Sequence, residues 1–244
     1  MSDIRSIVRL IDHAVLQPTQ MDDDVRAACE LCRELVVASV CVKPSHVGLA
    51  AELLGGSPVV ASTVIGFPHG GTSTAAKAAE TQVACRDGAR EVDMVGNIGK
   101  VLSGAWEFVA ADIRAVVEVA RAAGAITKVI FETGLLPDDA TKIRLCEICE
   151  AAGAAFVKTS TGFGYVKDAH GALFATGATE HDIRLMRAQC GSAVEVKASG
   201  GICSYADAVK FVELGATRLG TSATQAIAAG EGAGDRWQRT GDSY

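Results

Sequence analysis

Two lysines lie in segments that otherwise read as β-strands, Phe156-Val157-Lys158-Thr159-Ser160 and Val194-Glu195-Val196-Lys197-Ala198-Ser199. Glycine follows each, in Thr161-Gly162 and in Gly200-Gly201. An ammonium is among the groups least often buried, so a lysine flanked by valines needs a polar cavity to face. Two of them at matching places on successive strands crowd one another. Each makes the other harder to protonate, and a neutral amine near neutral pH attacks carbonyls to form a Schiff base. Spacing does not choose which lysine attacks. Asp93, in Glu91-Val92-Asp93-Met94-Val95, points inward by strand parity. It is a candidate to move protons through a water, as carbinolamine dehydration and enamine protonation require. The competing role for a lone inward aspartate is a salt bridge. Glu132 and Glu195 are expected to balance lysine charge.

The elements that must position these groups alternate along almost the whole chain. Strands are predicted at Ile11 to Leu16, Val37 to Val42, Val59 to Ile65, Glu91 to Val95, Lys128 to Thr133, the two lysine segments, and Thr217 to Thr221. Helices are predicted between them, for example at Asp22 to Leu35, Trp106 to Ala123 and Asp138 to Ala152. Such alternation means a parallel sheet, and eight units favour closure. The expected fold is α/β, a single-domain (β/α)8 TIM barrel over residues 1–229, with residues 230–244 as a flexible tail. No GxGxxG follows the first strand, which weakens a dinucleotide-binding reading. Alternate strand positions are polar: Asp12; Ser39, Cys41 and Lys43; Thr63; Glu91 and Asp93; Lys128 and Glu132; Lys158 and Ser160; Glu195, Lys197 and Ser199; Arg218. The intervening positions are mostly apolar, so the greasy face meets the helices and the polar face lines the barrel. Opposite charges neutralising one another in the core would give the same pattern. Buried ion pairs rarely add net stability, so an active site explains it better.

Composition narrows the function classes. At 244 residues with 49% hydrophobic content the chain builds one large core, and the 5% aromatic content supplies few stacking platforms for single-stranded nucleic acid. A net charge of −6 leaves no basic footprint for nucleic acid, so any positive charge for an anionic ligand must be local. No signal peptide and no membrane-spanning run is read, and a cytoplasmic, thiol-reducing compartment is expected. Cys29-x-x-Cys32 and Cys146-x-x-Cys149 have the spacing of zinc half-sites, but both lie in helix-like runs and read as small apolar residues of one helix face. No metal and no cofactor is assigned.

Glycines after the last two strands, Gly200-Gly201 and Gly220-Thr221-Ser222, fall where barrels of this type bind phosphate through backbone amides and a short helix start. Thr161 and Gly162 join Gly200, Gly201, Gly220 and Ser222 as candidate substrate- or phosphate-binding positions. Asp12 is a possible accessory residue, and Lys43 and Arg218 are possible extra cations.

The segments Lys158-Thr159-Ser160-Thr161-Gly162-Phe163-Gly164, Val196-Lys197-Ala198-Ser199-Gly200-Gly201-Ile202 and Glu91-Val92-Asp93-Met94-Val95 resemble the motifs of the deoxyribose-phosphate aldolase family. So do Ile11-Asp12-His13, Val64-Ile65-Gly66-Phe67-Pro68, Lys128-Val129-Ile130-Phe131-Glu132-Thr133 and Gly220-Thr221-Ser222. The resemblance implies a metal-free, class I barrel aldolase that reversibly cleaves 2-deoxy-D-ribose 5-phosphate to acetaldehyde and glyceraldehyde 3-phosphate. It implies that Lys158 forms the Schiff base, Lys197 perturbs it and Asp93 transfers protons. Three departures stand out: Gln17, the turn Lys43-Pro44-Ser45-His46, and an insertion, Tyr165 to Thr176, expected to form a lid or an oligomer contact. The chain ends on Tyr244, whose phenol would relay a proton if the tail folded over the barrel mouth. The expected partners are small phosphorylated sugars and aldehydes, with no nucleic acid or membrane, and a homo-oligomer, either dimer or tetramer. The alternatives are a class I aldolase or transaldolase acting on a longer sugar phosphate, and a non-catalytic phosphate-ligand sensor on the same barrel.

Overall fold

The structure is a computed structural model and describes residues 6–167 and 170–231. Eight parallel strands close into a barrel: β1 (Ile11–Val15), β2 (Ser39–Val42), β3 (Val60–Ile65), β4 (Glu91–Val95), β5 (Ile126–Ile130), β6 (Phe156–Lys158), β9 (Glu195–Ser199) and β10 (Arg218–Thr221). Chain order is spatial order, except that β7 (Tyr165–Lys167) and β8 (Leu173–Ala175) form a separate antiparallel hairpin between β6 and β9. The predicted (β/α)8 barrel is therefore the fold.

The helices are α1 (Asp22–Leu35), α2 (Val47–Leu53), α3 (Thr74–Arg86), α4 (Ile98–Leu102), α5 (Trp106–Ala122), α6 (Asp139–Ala152), α7 (Glu180–Gln189) and α8 (Tyr205–Glu213). Their starts are written locally. Ser73, Asp138, Thr179 and Ser204 each accept from the amide three residues on, and Asp207 completes a capping box with Ser204. Their inner faces (Ile113 and Val117 of α5, Leu145 and Cys149 of α6, Ile183 and Met186 of α7) are buried with the outward strand residues Val40, Val92, Val129, Val157 and Val196. Cys29, Cys32, Cys146 and Cys149 belong to this layer, and among the described residues no cluster of potential ligands is arranged to hold a metal. No described helix is long and apolar enough to cross a membrane.

Three local features differ from expectation. The fifth strand runs Ile126–Ile130 rather than Lys128 to Thr133, because Glu132 turns the chain into the left-handed region at φ 55°. A helix over residues 224–231 closes the fold. It is held by Thr224, whose hydroxyl lies 2.8 Å from His13 Nδ1, and by Glu231, which accepts from the Ser6 hydroxyl and the Ile7 amide. Gly230 and Glu231 thus belong to an ordered element that ties the two ends of the barrel together. On β3 the inward side chain is Ser62, whose Oγ lies 2.8 Å from Ser39 Oγ, whereas Thr63 turns outward and donates to the Val42 carbonyl. Adjacent polar residues leave parity ambiguous, and a one-residue slip exchanges the faces.

Candidate active site

Four cations and three carboxylates meet inside the barrel, carried by six strands: Asp12 from β1, Glu91 and Asp93 from β4, Lys128 from β5, Lys158 from β6, Lys197 from β9 and Arg218 from β10. Strand register brings them together. Asp93 lies opposite Lys128, Lys158 opposite Lys197, and Lys197 opposite Arg218. Asp93 is the hub. Its Oδ1 accepts from Lys128 Nζ at 2.8 Å, and its Oδ2 from Lys158 at 2.8 Å and Lys197 at 2.7 Å. Asp12 takes Lys197 at 2.5 Å, Lys128 at 3.1 Å, the Arg218 guanidinium at 2.8 Å and the Ser39 hydroxyl at 2.6 Å. Glu91 Oε2 joins Lys128 at 2.7 Å and Arg218 at 2.8 Å.

A cluster this deeply buried holds a net charge only at high cost. Four cations against three anions leave one proton in excess, so one lysine must be neutral. Contacts indicate which. Lys128 touches three carboxylates and Lys197 two, whereas Lys158 touches only Asp93. Burial depresses all three lysines. At Lys128 and Lys197 the carboxylates, Asp12 foremost, outweigh it and hold the ammonium above its ordinary range. At Lys158 burial prevails over the attraction of Asp93, and repulsion from Lys197 pushes the amine down further. Lys197 thus acts on Lys158 in the expected direction, with burial the larger cause. Burial would also raise Asp12 and Asp93, yet the charge of Lys128 and its neighbours holds both below the ordinary carboxylate range.

The cluster opens on a cavity of about 290 Å³ at the carboxyl ends of the strands, lined by Asp12, Lys158, Lys197 and the segments 161–163, 199–203 and 220–223. This is the end of the barrel where sites of this fold are built. Thr161, Gly162, Gly200, Gly201, Gly220 and Ser222 all border it. Gly200, at φ 88°, turns the chain sharply after β9, and its backbone passes so close to Gly177 that a Cβ would meet the Gly177 Cα at 2.9 Å. Gly220 also makes room for a neighbour. A Cβ there would fall 2.4 Å from the Ser199 hydroxyl and 3.1 Å from Lys197 Cε, so its bare backbone gives the Lys197 side chain its passage. Asp93 is wholly buried and does not line the cavity; it touches the amines.

Several placements correct the sequence reading. Glu132 and Glu195 do not balance the lysines: Glu132 holds the Thr161 amide and hydroxyl, and Glu195 is exposed and accepts from Thr217. Asp12 and Glu91 take that work. Arg218 is committed to them and stacks over the Phe156 ring at 5.0 Å, while Lys43 ties down the carbonyls of Gln17, Pro18 and Gln20. Neither cation is left for an anion in the cavity. Tyr244 lies outside the described residues. Lys128 was legible as an inward charge, but its part in the charge balance was missed, since no local signal gives its three partners.

The DeoC/LacD family aldolase profile matches residues 6–232. The chain belongs to this family. It is similar to the deoxyribose-phosphate aldolase of Carboxydothermus hydrogenoformans, with 47% identity across 92% of this chain and 94% of that one. Its identity with the deoxyribose-phosphate aldolase of Bacillus mycoides is 48%, over 91% of this chain and 94% of the relative. Among solved structures it resembles the tetrameric deoxyribose phosphate aldolase of Aeropyrum pernix, with a TM-score of 0.81 at 30% identity, covering 91% of this chain and 89% of that one.

Proposed function

We propose that this chain is a class I aldolase that reversibly cleaves 2-deoxy-D-ribose 5-phosphate to acetaldehyde and D-glyceraldehyde 3-phosphate, in deoxyribose phosphate catabolism. The carrying observation is Lys158: among the four cations of the cluster it is the one pushed toward neutrality, and it borders the cavity. Its lone pair attacks C1 of the open-chain aldehyde, and the carbinolamine loses water to give an iminium. The C3 hydroxyl then gives up its proton, the C2–C3 bond breaks, and its electron pair flows to C2 as an enamine while C3 becomes the aldehyde of glyceraldehyde 3-phosphate. A proton returns to C2, and water releases acetaldehyde and the free amine. Lys197 and Asp93, hydrogen-bonded to each other and beside Lys158, are the proton reservoir for these steps. The phosphate rests on backbone amides around Gly200, Gly201 and Ser222, next to the start of the helix over 224–231, where amides and helix dipole favour an anion. With Lys43 and Arg218 engaged elsewhere, those amides carry the recognition.

Assembly into a homo-oligomer and a cytoplasmic location complete the proposal. The tetrameric description of the Aeropyrum pernix relative supports the first, and eight free cysteines fit a reducing compartment. The test is a product assay on deoxyribose 5-phosphate beside longer sugar phosphates, with borohydride trapping in acetaldehyde. Turnover restricted to the deoxypentose, with the added mass on the Lys158 peptide, is expected. Faster cleavage of a longer sugar phosphate would reassign the substrate, a label on Lys197 would reverse the lysine roles, and the absence of any adduct would leave a phosphate sensor.

A further inference from the structure

Glu132 is buried to 1% exposure in a left-handed conformation (φ 55°, ψ 58°) that residues with a Cβ seldom adopt. Such outliers persist where surrounding contacts over-determine them, and they cluster at functional sites. Its carboxylate points away from the lysine cluster. It accepts from the Thr161 amide at 3.2 Å and from the Thr161 hydroxyl, and that hydroxyl in turn accepts from the Phe163 amide at 2.9 Å. The Thr176 hydroxyl lies between the other oxygen, at 3.4 Å, and the Gly164 carbonyl, at 3.3 Å, and shares its proton between them. Thr176 is where the chain returns from the β7–β8 hairpin, and its amide closes the hairpin root on the Gly164 carbonyl at 2.8 Å. Two residues later the Ala178 amide donates to the Gly200 carbonyl at 3.1 Å. One carboxylate thus joins the loop after β6, which borders the cavity at 161–163, to the segment that seats Gly200 on the opposite wall.

We propose that Glu132 is a positioning residue: it sets the spacing between the Thr161–Phe163 loop and the Gly200 turn, and through that spacing the fit of the phosphorylated end of the substrate. This rests on the phosphate placement proposed above. It predicts a division of effects, because the reacting amine is held by Asp93 independently of Glu132.

Glu132→Gln keeps the shape but loses the charge that two Thr161 donors share. The expected result is a KM for deoxyribose 5-phosphate raised about tenfold, the scale of one charge-assisted hydrogen bond. The KM for unphosphorylated deoxyribose and the rate of borohydride trapping with acetaldehyde should stay within about twofold of the parent. Thr176→Val, which removes only the hairpin-root hydroxyl, should shift the same KM in the same direction by a smaller factor, and it decides the matter if Glu132→Gln fails to fold. Equal losses on both sugars and in trapping, or unchanged constants in both variants, would overturn the assignment. If the parent protein does not turn over deoxyribose 5-phosphate but does trap acetaldehyde, the substrate reading fails instead. Glu132 is then tested on whichever phosphorylated sugar is cleaved against its unphosphorylated form, with the same two outcomes.

Discussion

A single buried carboxylate, Asp93, holds three lysine amines at 2.7–2.8 Å, and most of the site's chemistry follows from the imbalance around it. Lys158 is the least compensated of the three and is held below its ordinary 10.5 first by burial and then by Lys197. Because the neutral form attacks, kcat/KM should climb with pH as Lys158 loses its proton. Lys197→Leu removes the repelling charge and leaves Asp93 freer to stabilise the Lys158 ammonium. The rising limb should then move to higher pH, with activity at neutral pH down about a hundredfold. A pH–rate profile of the two proteins checks this, and an unmoved limb would mean that burial alone tunes the nucleophile. Asp93→Asn carries a different signature. It should cost about 10²–10⁴ in turnover through lost proton transfer. It also leaves buried ammonium groups without their shared partner, so stability should drop by about 3–5 kcal/mol, measurable by urea denaturation. Unchanged stability would show that the lysines relax into neutrality when the carboxylate is lost.

The β7–β8 hairpin is the element least explained by the barrel's needs. Tyr165, Leu173 and Phe174 are exposed on it at 57%, 64% and 52%, so it adds little to the apolar core. Its ends already meet where the Thr176 amide reaches the Gly164 carbonyl at 2.8 Å. Excising residues 165–175 should therefore leave the melting temperature within a few degrees of the parent, since surface loops away from core packing contribute little. The range of aldehydes accepted in the synthetic direction should change, because residues 161–163, which lead into the hairpin, border the cavity. Calorimetry and a panel of acceptor aldehydes check the two halves. A large loss of melting temperature would make the hairpin a structural strap. The closing helix over 224–231 is the contrasting case, with Glu231 bound to the first described residues and Thr224 to His13.

For the whole molecule, the buried charges and thiols set a stability window in pH. Asp12 and Asp93 are held below 3.8 by the lysines despite burial, so they stabilise the fold above that value. As pH falls below about 4 the unfolded chain takes up protons that the folded chain refuses, and stability declines. At the other limit burial raises Cys29 to about 11 and Cys32 to about 12, against 9.0 in the unfolded chain. Above pH 9 the unfolded thiols ionise first and draw the equilibrium toward unfolding, well before the raised Lys128 and Lys197 lose their protons. Melting temperature should rise from acid toward about pH 8, because the unfolded chain also protonates His13 and Lys158 more readily than the folded chain does, and it should fall above about pH 9. Cys32→Ala should steady the alkaline side at some cost in packing. An alkaline fall that begins only above pH 10.5 would assign it to the lysines instead.

The order of elements, the closure into a barrel and the inward placement of Lys158, Lys197 and Asp93 were all legible in the chain itself. Strand and helix periodicities are local, and a charged residue among β-branched neighbours marks an inward face wherever it occurs. The lysine that is neutral was not legible from spacing, because it depends on seven side chains from six strands whose contacts exist only after closure. Parity also failed at Thr63, where two polar residues adjoin and only the barrel register puts Ser62 inside. It failed again at Glu132, where a left-handed residue takes the chain out of the strand and turns a carboxylate expected to face lysines toward Thr161 and Thr176. The inserted hairpin and the closing helix have too little apolar periodicity to announce themselves. They form because the barrel offers them a Gly164 carbonyl, a His13 ring and a Ser6 hydroxyl at the right distance, and that offer is made by tertiary structure alone.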